Sequence, residues 1–550
     1  MITLDGRSLT IEQLAQIARD PSIHVERDPS TNERVARSEA LIGRIVENYR
    51  RAFESGEAPP TEYGVTTGFG EFKDKRIAPD DLQQLQRNLL LSHSVGVCGD
   101  DAYFDAEVVR AALVTRLNAF LLGHSGVRRT MVEIVEAMIN RGVIPLVPLK
   151  GSVGASGDLC PLAHTFATLL GVGDFVLNGQ EYPATELPSV LGFDAEVMKP
   201  TFKEGLALVN GVNYSAAMLA LGVFDAQHIA EMADAAAAMT LEAMCGCGRA
   251  LDAKIHAARG HPGQIRSAAR MRELLEGSHL LERAAAVQDA YSLRCAPQVH
   301  GASRDAIGFA RATAQREINA ATDNPLFFPD ESDEAYSGGN FHGQPIAIAA
   351  DLLTIALAEL ANISERRTAM LLDGNHNRRL PQNLTTRPGV NTGLMIAQYT
   401  AASLVSENKV LSHPASVDSI PTSANAEDHV SMSTYAARKM RTVLRNTQNV
   451  LAIEFLVSAQ ALDWRIGMSM DPLAPRREMS LADADEQAQR FAAVQPANVA
   501  NSVAPALREF YLRVREVSPP VVRDRALSDD VRRVYEALFS VRAGFSRPTG

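Results

Sequence analysis

The sequence has few of the residues that cross-link secreted domains or hold structural metals. Its 550 residues include only five cysteines. An odd number of cysteines in so long a chain does not form a disulfide framework, and the Cys245-Gly-Cys247 pair has no second pair or histidine cluster that would complete a zinc site. We therefore expect reduced, mainly structural thiols and no bound metal.

Positive charge is outnumbered by negative charge. The chain has 54 Lys and Arg residues against 65 Asp and Glu, which gives a formal net charge of -11 at pH 7. An acidic chain is not expected to take nucleic acid or an anionic membrane surface as its main partner. The N-terminal residues MITLDGRSLT lack the basic start and the apolar run of a signal peptide, so we expect a cytoplasmic protein.

One uncharged run, residues 205–224, is long enough to cross a membrane. It contains two asparagines and an Asn-Gly step, and a polar helical pattern follows it directly. These features favour a buried helix, and we expect no membrane span here.

The sequence is rich in long apolar patterns of helical period. Apolar residues recur at i, i+3 and i+4 in residues 225–244, 303–321, 343–371 and 431–463. Such lengths predict a mainly α protein built on a long-helix bundle, one that continues across subunits. Near the N-terminus, Thr10 is a plausible N-cap, and a second amphipathic helix is expected to end at Gly56.

The pattern divides the chain into three expected parts. Residues 1–200 form a loop-rich N-terminal domain, residues 201–470 form the central bundle, and residues 471–550 form a C-terminal helical segment. Composition becomes polar and proline-containing between residues 472 and 505, where we expect an insertion or a cover on the bundle.

Five loops combine small residues with polar or aromatic ones, which a purely structural helical protein does not need. Because binding and catalytic groups concentrate on loops held by a rigid scaffold, we expect these loops to build a site. They read EYGVTTGFG, LVNGVNYS, QDAYSLRCAPQ, SGGNFHGQP and ANAEDHVSM.

The stretch GSVGASGDLCPLAH, residues 151–164, contains the tripeptide Ala155-Ser156-Gly157 in a glycine-rich turn. Backbone cyclisation would require the nitrogen of Gly157 to reach the carbonyl carbon of Ala155, which needs a tight bend with almost no side-chain bulk. Loss of one water on ring closure and of a second from the Ser156 side chain leaves an exocyclic methylene, an electrophile made from protein alone. The alternative interpretation of an isolated Ala-Ser-Gly is an ordinary turn.

The order and spacing of the motifs YGVTTGFG, GSVGASGDLCPLAH, Asn210-Gly211, YSLRCAPQV and GGNFHGQP resemble those of the aromatic amino acid ammonia-lyases, from about Thr61 to Asp463. That family includes histidine, phenylalanine and tyrosine ammonia-lyases and related 2,3-aminomutases. The resemblance implies a long-helix bundle of the ammonia-lyase and fumarase type and a homotetramer whose sites share residues from several subunits. It also implies a 4-methylidene-imidazol-5-one (MIO) group formed from residues 155–157 of the N-terminal domain, with no dissociable cofactor.

The resemblance assigns further roles in the site. Tyr63 is the expected base at the β-carbon, and since the ordinary pKa of tyrosine is about 10, the site is expected to lower it. Arg294 is expected to hold the substrate carboxylate through its planar guanidinium, with a structural salt bridge as the alternative. Asn210 is expected to bind the carboxylate or steady the ring, and Tyr291 to assist around the ring and the amine. Gln288 and Phe341 are expected to line the pocket, with simple packing as the alternative.

Two further positions point to the substrate. Ser92-His93 resembles the pair found in histidine enzymes, although tyrosine aminomutases also carry it. Glu427 stands where phenylalanine and tyrosine enzymes usually have glutamine. A carboxylate pairs with an imidazole nitrogen but is left without a partner beside a phenyl ring, which costs several kcal/mol. Glu427 and His93 together favour histidine.

The sequence also departs from the histidine enzymes. Val212-Asn213 replaces the more usual Thr-Gln, and the segment HNRRLPQNLTTRPG around Arg378 is unusually polar and basic. We therefore keep three hypotheses. The first is a carbon-nitrogen lyase that converts L-histidine to urocanate and ammonia; the second is a lyase or 2,3-aminomutase acting on tyrosine, phenylalanine or a histidine derivative. The third, a non-catalytic scaffold, is disfavoured by the intact tripeptide with Tyr63 and Arg294.

Overall fold

The structure is a computed structural model, and it describes residues 1–98, 103–284, 286–475 and 480–540. The protein is mainly α-helical, as the sequence predicts. The helices are α1 Ile11–Arg19, α2 Thr31–Ser55, α3 Leu82–His93, α4 Ala106–Phe120, α5 Arg129–Arg141, α6 Leu159–Ala167, α7 Leu187–Leu191, α8 Ala195–Met198, α9 Glu204–Val209, α10 Asn213–Ala243, α11 Ala253–Arg259, α12 Pro262–Leu275, α13 Tyr291–Arg294, α14 Ala296–Glu317, α15 Gln344–Leu372, α16 Met395–Leu411, α17 Ser433–Leu462, α18 Leu481–Ala492, α19 Pro496–Ala500, α20 Arg508–Val517 and α21 Ser528–Phe539.

The strands of the described residues are short and form three small sheets. The first sheet is parallel and pairs β1 Ile2–Leu4 with β2 Val25–Arg27. The second is antiparallel in the order β3 Ile144–Pro145, β4 Asp174–Leu177 and β5 Gln180–Pro183. The third pairs β6 Leu326–Phe327 with β7 Ala335–Tyr336 in antiparallel fashion.

The chain divides into two compact units, each made of three chain segments. Unit 1 comprises Met1–Phe224, Ala310–Asp351 and Pro414–Met440. Unit 2 comprises Asp225–Phe309, Leu352–His413 and the described residues from Arg441 onwards. These units cut across the boundaries at residues 200 and 470 expected from the sequence, and that three-part division stays a prediction.

The caps of the first two helices match the sequence. The Thr10 side chain accepts the backbone N–H of Gln13, and the Gln13 side chain accepts that of Thr10, which completes a capping box at the start of α1. Helix α2 ends where Gly56 adopts a φ of +78°, a left-handed conformation that glycine takes without steric cost.

The core of unit 1 contains the uncharged run that resembles a membrane span. Residues 205–223 are all buried, and they form α9, the Asn210-Gly211 turn and the start of α10. The expected buried helix is therefore confirmed, with a turn inserted in it. Among the described residues, one helix, α15, is long and apolar enough to cross a membrane, and 67% of its apolar window is buried, as is usual for a core helix.

The stretch from residue 472 to 505 contributes helices α18 and α19 to unit 2. Phe491 of α18 stacks on Trp464 with ring centroids 4.0 Å apart and planes at 10°, and both side chains are fully buried. Stacked aromatic pairs contribute about 0.5–1.5 kcal/mol beyond the area they bury. This part of the expected insertion is thus packed into its unit; residues 476–479 lie outside the described residues.

Candidate active site

The loop before α6 is sharply bent at the tripeptide singled out in the sequence. Gly154, Ser156 and Gly157 have φ values of +75°, +52° and +82°. A positive φ is uncommon for serine, since its Cβ crowds the backbone there. The turn is therefore tight at the position where ring closure would require it.

Gly157 lies directly against Gly211 of the turn between α9 and α10. A Cβ atom on Gly157 would stand 2.2 Å from the Gly211 carbonyl oxygen, so no side chain fits. The backbone N–H of Asp158 donates to that oxygen at 2.7 Å, and the N–H of Gly211 donates to the Ser156 carbonyl at 3.4 Å. Among the described residues, the Gly157 amide nitrogen has no hydrogen-bond acceptor, which leaves it available for ring closure.

Asp158 anchors the loop from within the core. One carboxylate oxygen accepts the backbone N–H and the hydroxyl of Ser215 at 2.8 and 2.9 Å, and the other accepts the Thr434 hydroxyl at 2.6 Å. Burial raises the pKa of the Asp158 carboxyl, and these hydrogen bonds oppose the rise. Such a network fixes the loop at its C-terminal end.

The carbonyl oxygen of Ser156 faces two donors. The Asn210 side-chain amide donates to it at 3.1 Å, and the N–H of Gly211 is the second donor. Two convergent donors stabilise negative charge on an oxygen, as in an oxyanion hole. Asn210 is thus in contact with the tripeptide, where the sequence predicted a steadying role.

The Ser156 hydroxyl donates to Glu427 at 2.9 Å between Oγ and Oε1, and the Thr422 hydroxyl donates to Oε2 of the same carboxylate at 2.6 Å. Thr422 and Glu427 also exchange two backbone hydrogen bonds, of 3.0 and 3.3 Å. The loop between them is tight, since Ser423, Ala424 and Asn425 all have positive φ. Glu427 is therefore held rigidly over the tripeptide.

Tyr63 and His93 lie within the electrostatic reach of Glu427. The backbone N–H of Gly70 donates to the Tyr63 hydroxyl at 3.3 Å. Burial, together with the negative charge of Glu427, raises the pKa of Tyr63 above its ordinary value. The expectation of a lowered pKa is therefore wrong for the single chain, because burial disfavours the phenolate and the negative charge of Glu427 adds to this effect.

His93 is half-buried at the end of α3, where its Nδ1 lies 3.0 Å from the Ser92 hydroxyl. Burial lowers its pKa, and the charge of Glu427 works in the opposite direction. A neutral imidazole can donate or accept a hydrogen bond according to its tautomer. The residues of unit 1 thus bring the tripeptide, Tyr63, His93, Asn210 and Glu427 together.

Phe341, also in unit 1, is half-buried in the loop before α15. Two residues later, Gly343 packs so closely on Ser433 that a Cβ would stand 2.3 Å from its hydroxyl. Ser431, beside Ser433, donates to the Gly154 carbonyl at 3.3 Å. The Phe341 loop therefore abuts residues that contact the tripeptide loop.

Gln288, Tyr291 and Arg294 belong to unit 2. The Arg294 guanidinium lies 4.6 Å from the Tyr291 ring centroid on α13, a cation–π contact. Its Nε is buried and has no partner among the described residues, while Tyr291 is 71% exposed and Gln288 is exposed. An arginine with donors left over is suited to an anionic group.

The positions at which the sequence departs from the histidine enzymes, Val212-Asn213 and the segment around Arg378, contain residues that are buried or form hydrogen bonds within the fold. Arg378 pairs with buried Asp289 and donates to the carbonyl oxygens of Met244 and Cys245 at 2.8 and 2.5 Å. Arg378 thereby anchors Asp289, the residue that follows Gln288. Val212 and Asn213 are buried at the start of α10.

Two site residues escaped the sequence reasoning. Thr422 binds Glu427, and Arg116 donates to the Asn210 carbonyl at 2.8 Å. The only sequence signal for Arg116 is a charged residue in the mainly apolar α4, a signal that Arg110 of the same helix shares. A charge at such a position needs a buried partner, and the partner cannot be read from sequence spacing.

Comparison with known proteins agrees with this geometry. A family described as aromatic amino acid lyase matches residues 9–486. A histidine ammonia-lyase of Caldanaerobacter subterraneus subsp. tengcongensis is 45% identical over 98% of this chain and 97% of its own length.

Two crystal structures also match. That of histidine ammonia-lyase from Trypanosoma cruzi has a TM-score of 0.81 and 37% identity, over 98% of this chain and 93% of its own. That of tyrosine aminomutase from Streptomyces globisporus has a TM-score of 0.82 and 33% identity, over 98% of this chain and 97% of its own. The chain belongs to the aromatic amino acid lyase family.

Proposed function

We propose that the protein is an ammonia-lyase that converts L-histidine to urocanate and ammonia. The observation that carries this proposal is the position of Glu427, whose carboxylate contacts Ser156 and lies within electrostatic reach of both Tyr63 and His93. Relatives named histidine ammonia-lyase, at 44–49% identity, support the same substrate.

The tripeptide loop fits an MIO group. The bend at Ser156 and Gly157, the absence of room for a side chain at Gly157 and the two donors at the Ser156 carbonyl all favour ring closure. The ring supplies an electrophilic carbon for the substrate's amino group, which makes ammonia a better leaving group. No dissociable cofactor is part of the proposal.

Tyr63 is proposed to remove the proton from the β-carbon. Its raised pKa means that the free site holds a neutral phenol at pH 7. Substrate binding must therefore add positive charge near the phenol for Tyr63 to act as a base. The imidazolium or ammonium group of the substrate supplies such a charge.

Glu427 and His93 are proposed to recognise the imidazole ring. The Glu427 carboxylate accepts an imidazole N–H, and Thr422 fixes the second carboxylate oxygen so that the first keeps its direction. Arg294 is proposed to bind the substrate carboxylate, Asn210 to steady the ring carbonyl and Tyr291 to assist at the amine. Gln288 and Phe341 are proposed to line the pocket.

We also propose that the protein is a cytoplasmic homotetramer with shared sites. The exposure of Tyr291 and Gln288 in the single chain supports this arrangement. An aromatic group that takes part in chemistry works best shielded from water, and a neighbouring subunit would provide that shield.

A 2,3-aminomutase is the alternative, since Ser92-His93 also resembles tyrosine aminomutases. Both reactions begin with loss of the amine, and they differ in whether it returns to the β-carbon. Glu427 disfavours a phenyl ring, because such a ring offers no hydrogen-bond donor to the half-buried carboxylate.

Product analysis tests the proposal. Purified protein is incubated separately with L-histidine, L-phenylalanine and L-tyrosine, while ultraviolet absorbance, free ammonia and β-amino acids are measured. We expect urocanate and equimolar ammonia from histidine, with only residual turnover of phenylalanine and tyrosine. A β-amino acid as the main product, or faster turnover of tyrosine or phenylalanine, would overturn the proposal.

A further inference from the structure

Arg116 is a fully buried arginine on α4 with one strong hydrogen bond. Its Nη2 donates to the backbone carbonyl oxygen of Asn210 at 2.8 Å. Its Nε and Nη1 are buried and have no partner among the described residues. Burial lowers the pKa of Arg116 to about 10, so the side chain stays charged at neutral pH. Among the described residues, its hydrogen bonding is therefore concentrated on a single peptide group.

That peptide group joins Asn210 to Gly211, and its other end donates to the tripeptide. The Arg116 guanidinium binds the peptide oxygen, and the Gly211 N–H of the same peptide donates to the Ser156 carbonyl at 3.4 Å. A cation on the oxygen of an amide makes its N–H a stronger donor, since hydrogen bonds in a chain polarise one another. In this low-dielectric surrounding the effect is larger than in water.

The Ser156 carbonyl is the oxygen that would carry charge when the electrophile reacts. Ring closure conjugates this carbonyl with the exocyclic carbon derived from Ser156 Cβ. Addition of a nucleophile at that carbon moves an electron pair towards the carbonyl oxygen. Donors at that oxygen lower the barrier, and a strengthened donor lowers it further.

We infer that Arg116 is a positioning residue that raises the reactivity of the electrophile through the Asn210–Gly211 peptide. The surrounding charges agree with this role. Lys203 and Asp323 form a buried ion pair at 2.5 Å, and Asp323 and Asp158 both favour the charged form of Arg116. The geometry around Gly211 is tight, because a Cβ there would stand 2.5 Å from Arg116 Nη2. The inference rests on the proposed electrophile but not on histidine as the substrate.

The chain offers a matched control. Arg110 lies on the same helix, is 3% exposed and donates its Nη2 to the backbone carbonyl of Ile23 at 2.9 Å. Burial lowers its pKa as well. Arg110 thus repeats the burial, the charge and the type of bond of Arg116 without a contact to the tripeptide.

The test compares Arg116→Lys, Arg116→Gln, Arg110→Lys and Arg110→Gln in the full-length protein. Intact mass first establishes that each variant has lost two waters. Cyanide is then added without substrate: its carbon bonds to the exocyclic carbon, a proton comes from water, and the chain gains the mass of one HCN. The rate of this mass gain measures the electrophile directly. kcat and KM for L-histidine are measured in parallel.

We expect cyanide addition to slow roughly tenfold in Arg116→Gln, less than the 10²–10³-fold typical for loss of a direct oxyanion donor. Arg116→Lys falls between Arg116→Gln and wild type, because it keeps the charge at a greater distance. kcat falls in parallel while KM stays unchanged, and both Arg110 variants react like wild type. If Arg116→Gln does not fold or mature, Arg116→Lys against Arg110→Lys decides the matter.

Equal cyanide rates in the Arg116 variants and wild type would overturn the inference, as would an equal slowing in the Arg110 variants. A failure of the proposed function has a different signature. In that case wild-type protein adds cyanide normally, the Arg116 variants still add it slowly, and no urocanate forms.

Discussion

The Ser156 hydroxyl donates a hydrogen bond to the Glu427 carboxylate, with 2.9 Å between Oγ and Oε1. The residue expected to become the electrophile therefore contacts the residue expected to select the substrate. When Ser156 loses its hydroxyl, Oε1 loses this donor. Once a substrate excludes water from the half-buried carboxylate, Oε1 needs another donor, since an unpaired buried acceptor costs about 1–3 kcal/mol. An imidazole N–H supplies that donor, whereas a phenyl ring does not.

The first prediction concerns this contact. Glu427→Gln should lower kcat/KM for L-histidine at least about a hundredfold, or roughly 2.7 kcal/mol of transition-state stabilisation, because the amide loses both the charge and one acceptor. Residual turnover of L-phenylalanine should change far less. Steady-state kinetics with both substrates measure the difference. Thr422→Val, which removes only the support of Oε2, should have an intermediate effect, and equal losses on both substrates would refute the imidazole assignment.

The second prediction concerns the base. Tyr63→Phe should reduce kcat by about 10²–10⁴-fold, the usual contribution of a positioned acid or base, while the two-water mass loss remains. Burial and Glu427 raise the pKa of Tyr63, so the deprotonated fraction grows about tenfold per pH unit on the alkaline side.

Wild-type kcat/KM should therefore rise with pH above neutrality, and the residual activity of Tyr63→Phe should lack this rise. Tyr182→Phe is the control, since among the described residues the Tyr182 hydroxyl bonds only the exposed Gln180 side chain near the β4–β5 turn. Near-normal turnover in Tyr63→Phe would remove Tyr63 as the base.

The third prediction concerns Gly157. Its replacement by alanine puts a Cβ at 2.2 Å from the Gly211 carbonyl, so the contact between the two turns must open. We expect Gly157→Ala to retain the mass of both waters and to unfold at a lower temperature. Gly179→Ala isolates the backbone cost, because Gly179 has a φ of +80° and a Cβ added there would meet no other atom within 4 Å. The free energy of unfolding of that control should fall by only about 1–2 kcal/mol, and the control should lose both waters normally. Normal maturation of Gly157→Ala would contradict the close-packing argument.

The helices of this protein follow from local sequence signals. The capping box at Thr10 and the left-handed Gly56 are set by neighbouring residues, and the long apolar periodicities correspond to α10, α14, α15 and α17. The expected insertion was harder to interpret, since the stacking of Phe491 on Trp464 joins residues far apart in sequence.

Site residues could be predicted from the sequence only where the residue type or the family resemblance indicates a chemical role. Ala155-Ser156-Gly157 stands out in the sequence because small residues separate two apolar segments, and Glu427 was identified through the family resemblance. The raised pKa of Tyr63 could not be predicted from the sequence, because it depends on burial and on a carboxylate some 360 positions away along the chain. Arg116 and Thr422 escaped for the same reason, since their partners lie in distant loops.

The most direct test of the account is the intact mass of the purified chain, followed by peptide mapping of residues 151–164. The account predicts a mass lower than the sequence by two waters, with the whole deficit inside this stretch, and Ser156→Ala that folds but neither loses the second water nor turns over histidine. An unmodified wild-type chain that still releases ammonia from histidine, or a Ser156→Ala variant with an unchanged rate, would contradict it.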